Sequence, residues 1–269
     1  MVSDNNTPAS AKPRRRAAKL PAHPAALVTG ASGDLGAAMA QTLAQAGMQV
    51  WVHANSQAAK AQALAQQINS DAAVQAAGGG AQAIAFDIRD GEACRAASQQ
   101  MLAQAPIQVL VHNAGVTADA VLAGMQPAQW QQVIDVNLNG FFNLTQPLLL
   151  DMLRTGWGRI IAISSVAGQM GNRGQVNYAA AKGALHSAVK ALSLEVANRG
   201  VTVNAVAPGI IASEMTRSMF DEQAIASMVP MQRAGLPQEV ADLVAFLASP
   251  KAAYISGQTL AINGGMFAA

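Results

Sequence analysis

The sequence predicts an α/β fold, a doubly wound parallel sheet of seven strands with helices on both faces. Three observations lead there. From Ala25 onward, short apolar runs alternate with stretches of helical spacing, the pattern of repeated βαβ units. A glycine-rich turn, Thr29 to Gly36, follows the first run and opens directly into a helical stretch, as phosphate-binding strand-to-helix turns do. The composition is 51% hydrophobic and 12% charged, with Ala and Gly prominent, which suits helices lying close on a sheet and argues against disorder.

Residues 1–23, rich in Pro, Ser, Asn and Ala, read as a flexible basic tail, and residues 24–269 as one dinucleotide-binding domain. The strands are expected at Ala26–Val28, Val50–Val52, Ala83–Phe86, Val109–Val111, Ile160–Ile163, Val201–Val206 and Thr259–Ile262. Helical spacing falls at Ala37–Ala46, Ala58–Ile68, Glu92–Ala103, Phe142–Leu153, Ala179–Ala197 and Glu239–Leu247. Ala72–Gly80 reads as a Gly-rich loop that only lengthens a connection. Sheets of this kind bind ligands beyond the carboxyl ends of their strands.

Composition also excludes several functions. Net charge is +2, and Arg14, Arg15, Arg16 and Lys19 sit in the tail. The body is therefore near neutral and lacks the basic field a nucleic-acid binder needs. The single cysteine, Cys94, rules out an intrachain disulfide framework and suits a reducing cytoplasm. No apolar run approaches membrane-spanning length, and the polar N-terminus does not read as a secretory signal. The histidines show no metal-ligand spacing, so no metal is expected.

The nucleotide end is assembled from strand ends. Thr29, Gly30, Ser32, Gly33, Asp34, Leu35 and Gly36 form the turn, whose glycines let backbone approach a pyrophosphate at a helix N-terminus. The second strand ends at Asn55 and Ser56 without a carboxylate. An acid there would repel a 2′-phosphate, so its absence favours NADP over NAD, with Lys60 the close cation in sequence. Asp87 and Ile88 end the third strand, where the carboxylate either accepts from an adenine amino group or caps the next helix. Asn113, Ala114 and Gly115 end the fourth, small enough for adenosine to lie on the backbone.

The chemistry is expected from Tyr178 and Lys182, four apart in a helical stretch and hence on one face. A neighbouring ammonium lowers a phenol's pKa and makes it a usable acid for a carbonyl oxygen. Ser165 follows an apolar strand and sits where it can donate to that carbonyl, with Ser164 as competitor. Asn137 either holds a proton-relaying water or is a helix-breaking structural amide. Together these types suit ketone reduction by hydride.

These residues, over positions 25–269, resemble the short-chain dehydrogenase/reductases, Rossmann-type enzymes, and more narrowly the bacterial 3-oxoacyl-[acyl-carrier-protein] reductases. The likeness rests on the Thr29–Gly36 turn, Asn113-Ala114-Gly115, Asn137, Ser165 thirteen residues before Tyr178, Lys182, Asn204–Gly209 and Ile262-Asn263-Gly264-Gly265-Met266. That interval selects Ser165 over Ser164. The resemblance implies Tyr178 as acid and Lys182 as its activator and a ribose contact. It implies that Ser165 orients the carbonyl and that Asn137 supports the relay. Pro208, Gly209 and Ile211 would fix the carboxamide, and Ser213 would contact the phosphates. It further implies NADPH, an acyl thioester substrate, fatty acid biosynthesis and a cytoplasmic homotetramer. Two positions depart from the pattern, Gly33 where arginine is frequent and Asp34 where glycine is usual. Arg199 and Arg154 are candidates for meeting an acidic carrier protein, and Met215, Met219, Phe220, Met228 and Met231 for an acyl chain. The alternatives are a reductase of acetoacetyl-CoA or another small ketone, and a non-catalytic nucleotide-sensing regulator.

Overall fold

A computed structural model describes residues 23–213, 216 and 221–268. The seven strands are β1 Ala25–Val28, β2 Gln49–Ala54, β3 Gly80–Ala85, β4 Ile107–His112, β5 Gly158–Ile163, β6 Val201–Pro208 and β7 Thr259–Ile262. All pair in parallel in one sheet, in the order β3-β2-β1-β4-β5-β6-β7. Every expected strand is present, and the ladder lengthens most of them beyond their apolar runs. Of the expected tail, residues 1–23, only His23 is described; residues 1–22 lie outside the described residues, as do Met215, Met219 and Phe220.

The intervening helices are α1 Asp34–Gln45, α2 Ala58–Ser70, α3 Ala72–Ala77, α4 Gly91–Leu102, α5 Pro127–Ile134, α6 Gly140–Thr155, α7 Ala167–Met170 and α8 Val176–Val196. Two more follow, Glu222–Met228 and Pro237–Ala248. The expected loop Ala72–Gly80 is corrected: its alanines form α3 and Gly80 begins β3. Asp71 accepts from the Ala73 amide at 2.7 Å and caps α3, and Gly78, at φ 70°, closes it. Helix α5, not foreseen, begins on Pro127, a residue suited to a first helical turn.

Two apolar layers hold the sheet. Along β1, Ala26 and Val28 face one layer with Met39 and Leu43 of α1. Ala25 and Leu27 face the other with Leu144 and Leu148 of α6 and Leu185 of α8. This alternation is the period of a strand buried on both sides. Each fully buried leucine contributes about 2 kcal/mol by area. Strand order reverses between β1 and β4, which opens a crevice beyond their carboxyl ends. Among the described residues no helix is long and apolar enough to cross a membrane.

Candidate active site

The glycine turn is welded to the end of β4. Thr29 is fully buried, and its hydroxyl accepts from the Asn113 and Ala114 amides at 2.9 Å. The Asn113 side chain in turn donates to the Thr29 carbonyl at 2.9 Å and the Gly30 carbonyl at 3.2 Å. Thr29 is thus placed as a staple of the turn, with its side chain turned from solvent. Gly30 has φ +62°, and a Cβ there would lie 2.9 Å from Ala114 Cα. A Cβ on Gly36 would lie 2.7 Å from Ala31 Cα, so α1 can pack onto the turn only at glycine. Gly33 occupies the cap of α1 and brings no side-chain cap. The first turn of α1, with Leu35 on the cleft wall, therefore presents main-chain N–H groups and a positive dipole end toward the crevice.

Asn55 and Ser56 are exposed beyond β2. Asp87 is half-buried beyond β3, and Arg89 grips it with a fork of 2.6 to 3.1 Å. The hydrogen bond from Arg89 holds the Asp87 carboxyl below its usual range. Lys60 is therefore joined by a second cation at these strand ends. The Ile88 side chain is buried and packs where a Cβ of Gly140 would go, so any nucleotide contact from Ile88 comes from its main chain.

Beyond β4, β5 and β6 lies a cleft of about 310 Å³ whose walls include Gly115, Ser165, Tyr178, Lys182, Gly209 and Ser213. Helix α8 brings the Lys182 ammonium to 5.7 Å from the centre of the Tyr178 ring. Asn177 seats this helix end, donating to the Ala118 and Gln129 carbonyls and accepting from the Tyr178 amide. Lys182 Nζ is buried and donates to the Ile163 carbonyl at 2.9 Å; burial pulls its pKa down to about 8. Tyr178 differs from expectation. Burial pushes the phenol up, and the opposing influence is a hydrogen bond with Ser165, with Asp119 adding to the rise. In this geometry desolvation outweighs the hydrogen bond with Ser165.

The two serines part ways. Ser165 Oγ accepts from the Ala167 amide at 3.1 Å and bonds Tyr178 on the cleft side. Ser164 Oγ is buried between the Lys182 carbonyl, 2.9 Å, and His186 Nε2, 2.6 Å. Asn137 lies in a π-helical turn, Asp135–Asn139, that joins α5 to α6, an irregularity frequent at functional sites. Its amide nitrogen donates to the Val116 and Val133 carbonyls, both at 2.9 Å. Its buried Oδ1 has no hydrogen-bond partner among the described residues. A Cβ on Gly115 would come to 2.6 Å from that oxygen and 3.2 Å from Lys182 Nζ, so glycine keeps a cradle open between the two.

Pro208 and Gly209 end β6, and Gly209 packs so closely on Asn263 that a Cβ would lie 2.8 Å from its Cα. Ile211 bridges to Gly235, and Ser213 accepts from the Thr216 amide at 3.0 Å while Thr216 Oγ1 donates to the Ile211 carbonyl at 2.7 Å. Thr216, on the cleft wall, was missed; a hydroxyl three residues after Ser213 was the available signal. A separate hollow of about 350 Å³ behind Ile211, lined also by Val229 and the Arg233–Glu239 pair, takes in Ile211 and Met231 among the predicted groups. Arg154 pairs with Asp151 at 3.1 Å, and Arg199 donates to the Leu153 carbonyl at 3.0 Å. Both precede strands, so they sit at the amino end of the sheet, opposite the cleft.

The short chain dehydrogenase family model matches residues 24–224. The 3-oxoacyl-[acyl-carrier-protein] reductase FabG of Escherichia coli strain K12 is 42% identical over 90% of this chain and 96% of its own. The enzyme of that name from Staphylococcus aureus strain Mu50 is 42% identical over 90% and 97%. Nodulation protein G of Azospirillum brasilense is 44% identical over the same shares.

Proposed function

The chain belongs to the short-chain dehydrogenases, NAD(P)-dependent oxidoreductases, and on that premise we propose that it reduces 3-oxoacyl thioesters to 3-hydroxyacyl thioesters with NADPH. The observation that carries this reading is the gathering of Tyr178, Lys182, Ser165 and Gly115 on one cleft that continues to the N-terminus of α1. The names of its relatives supply the thioester.

The residues present fit a nicotinamide nucleotide. The first turn of α1, from Ser32 to Gly36, would receive the pyrophosphate, and Asn113, Ala114 and Gly115 leave room beside it. Asn55, Ser56, Asp87 and Ile88 would meet the adenosine half, while Pro208, Gly209, Ile211 and Ser213 would line the nicotinamide half. When bound, the reduced nicotinamide supplies a hydride to the carbonyl carbon. Ser165 Oγ donates to the ketone oxygen and orients it. Tyr178, whose raised pKa keeps it protonated at neutral pH, gives its proton to that oxygen as the C–O bond becomes single. Lys182, one turn along α8, holds the ribose and offsets the phenolate charge left behind. The unpartnered Asn137 Oδ1 suits a water that returns a proton toward Lys182.

Residues 24–269 act in this reading as one catalytic domain of a cytoplasmic homotetramer in fatty acid biosynthesis. Phe142, Leu150 and Leu194 are 65%, 62% and 85% exposed on α6 and α8, an apolar stripe that supports a subunit interface. If α8 pairs antiparallel across a two-fold axis, the Arg199 end of one subunit lies beside the Tyr178 end of its neighbour. A carrier protein held by Arg199 and Arg154 would then feed the neighbour's cleft.

Steady-state turnover of acetoacetyl thioesters tests the reading, with carrier-bound and CoA-bound substrates and each reduced nicotinamide in turn. We expect NADPH and carrier-bound substrate to give the highest kcat/KM. Preference for the CoA ester supports the acetoacetyl-CoA reductase instead, and inertness toward both overturns the thioester assignment.

A further inference from the structure

His53 is 1% exposed near the carboxyl end of β2, a strand otherwise apolar wherever it is buried. The Gly30 amide donates to its Nδ1 at 3.2 Å, and its Nε2 stands 2.9 Å from the Phe86 carbonyl. An amide can only donate and a carbonyl can only accept. The ring is therefore the neutral tautomer with its hydrogen on Nε2. One imidazole thus ties the glycine turn after β1 to the end of β3, where Phe86 precedes Asp87. The Ala31 amide reinforces the same junction, donating to the His53 carbonyl at 2.8 Å. The ring also rests on Phe86, centroids 4.3 Å apart.

We propose that His53 is a positioning residue for the nucleotide cradle, fixing the glycine turn so that its loss or protonation weakens nucleotide binding while leaving turnover of the bound complex intact. The inference rests on the assignment of the glycine turn to the nucleotide. A proton on Nδ1 would set an N–H against the Gly30 N–H, so the bond fails in the imidazolium. Asp87 beyond β3 faces the ring and favours the proton, and Arg89 holds the Asp87 charge; His112 on β4 is itself pulled down to about 3 by burial and carries no opposing charge. Burial is the dominant influence and lowers the pKa of His53, which keeps the neutral form at physiological pH.

The test is direct titration of the full chain with NADPH, followed by nucleotide fluorescence, for wild type, His53→Phe and His53→Gln from neutral pH down to below the ordinary histidine range. The glutamine amide keeps an acceptor and a donor but does not titrate. We expect His53→Phe to bind about tenfold more weakly at neutral pH, the effect of one buried amide left unpaired, with kcat at saturating NADPH within about twofold. Wild-type affinity should fall as pH drops below the ordinary histidine range, and His53→Gln should not share that fall. Ionisation of the 2′-phosphate, with a pKa near 6, is common to all three proteins and cancels in the comparison. Equal affinity in His53→Phe, or identical pH slopes in wild type and His53→Gln, overturns the role of His53 alone. A wild type that binds no nicotinamide nucleotide overturns the functional assignment with it. Should His53→Phe fail to fold, the wild-type and glutamine slopes still decide.

Discussion

Strand β5 has a buried cation at each end, and the two are held in different ways. At the amino end, Arg159 is 2% exposed and donates to the carbonyls of Gly158, Gly200 and Ser249. Its guanidinium also lies 4.3 Å over the Trp157 ring. Burial lowers its pKa to about 10, which leaves it charged at any physiological pH. At the carboxyl end, Lys182 finds a single hydrogen-bond partner among the described residues, the Ile163 carbonyl, and its pKa falls to about 8. An ammonium carries three donors. The satisfied cation braces the fold, and the under-satisfied one retains capacity for a ribose, a phenolate or a water. The amino end of the strand is braced, and the carboxyl end is where the proposed chemistry falls.

The sharpest way to break this contrast is Tyr178→Phe. It should lower kcat by about 10³-fold, within the range for general acid catalysis, while NADPH affinity and melting temperature stay at wild-type values. Retained turnover in steady-state assays would remove the chemistry from the carboxyl end.

Next come the cations themselves. The folded-state pKa of Lys182, about 8, lies below the ordinary lysine value of 10.5, so folding carries a penalty below pH 8 that is relieved as pH rises from about 8 toward 10.5. Lys182→Met should abolish activity yet raise stability at neutral pH by up to roughly 3 kcal/mol, a gain that shrinks as pH climbs. Arg159→Met should instead cost about 2 kcal/mol, because three carbonyls lose a donor, with turnover preserved. Urea melts at several pH values, read beside turnover, separate the two ends.

A smaller effect distinguishes the neighbouring serines. Ser165→Ala should reduce kcat by one to two orders of magnitude, the scale of a lost oxyanion donor. Ser164→Ala, which removes a bond to His186 and the Lys182 carbonyl, should act mainly on the melting temperature. Equal kinetic losses would blur the assignment of Ser165.

The mildest change concerns the turn. Gly33 has φ −94°, and a Cβ there meets nothing nearer than the Gly30 carbonyl at 3.8 Å. Gly33→Arg should therefore be tolerated and lower the KM for NADPH several-fold, by about 1 kcal/mol of added phosphate contact, without changing that for NADH.

Much of this was legible in the chain itself. All seven strands announced themselves as apolar runs, and the spacing of Tyr178 and Lys182 needed only a helix to put them on one face. Local signals failed where a side chain acts at a distance. Helix α3 was missed because its Asp71 cap lies just outside the alanines that read as a loop. Thr29 looked like a nucleotide contact because sequence cannot reveal that its hydroxyl is spent on Asn113 and Ala114, 84 and 85 residues away.

Periodicity and residue type by themselves determined the layered sheet, the glycine turn opening α1 and the placing of Tyr178 and Lys182 on one helix face, since these depend on neighbours within a few positions. Only the tertiary structure decided that Ser164 is spent on His186 and the Lys182 carbonyl, that burial raises the Tyr178 pKa, that Arg154 and Arg199 lie at the amino end, and that His53 joins two strand ends. Those outcomes depend on desolvation and on hydrogen bonds between segments far apart in sequence, and neither exists until the strands are paired.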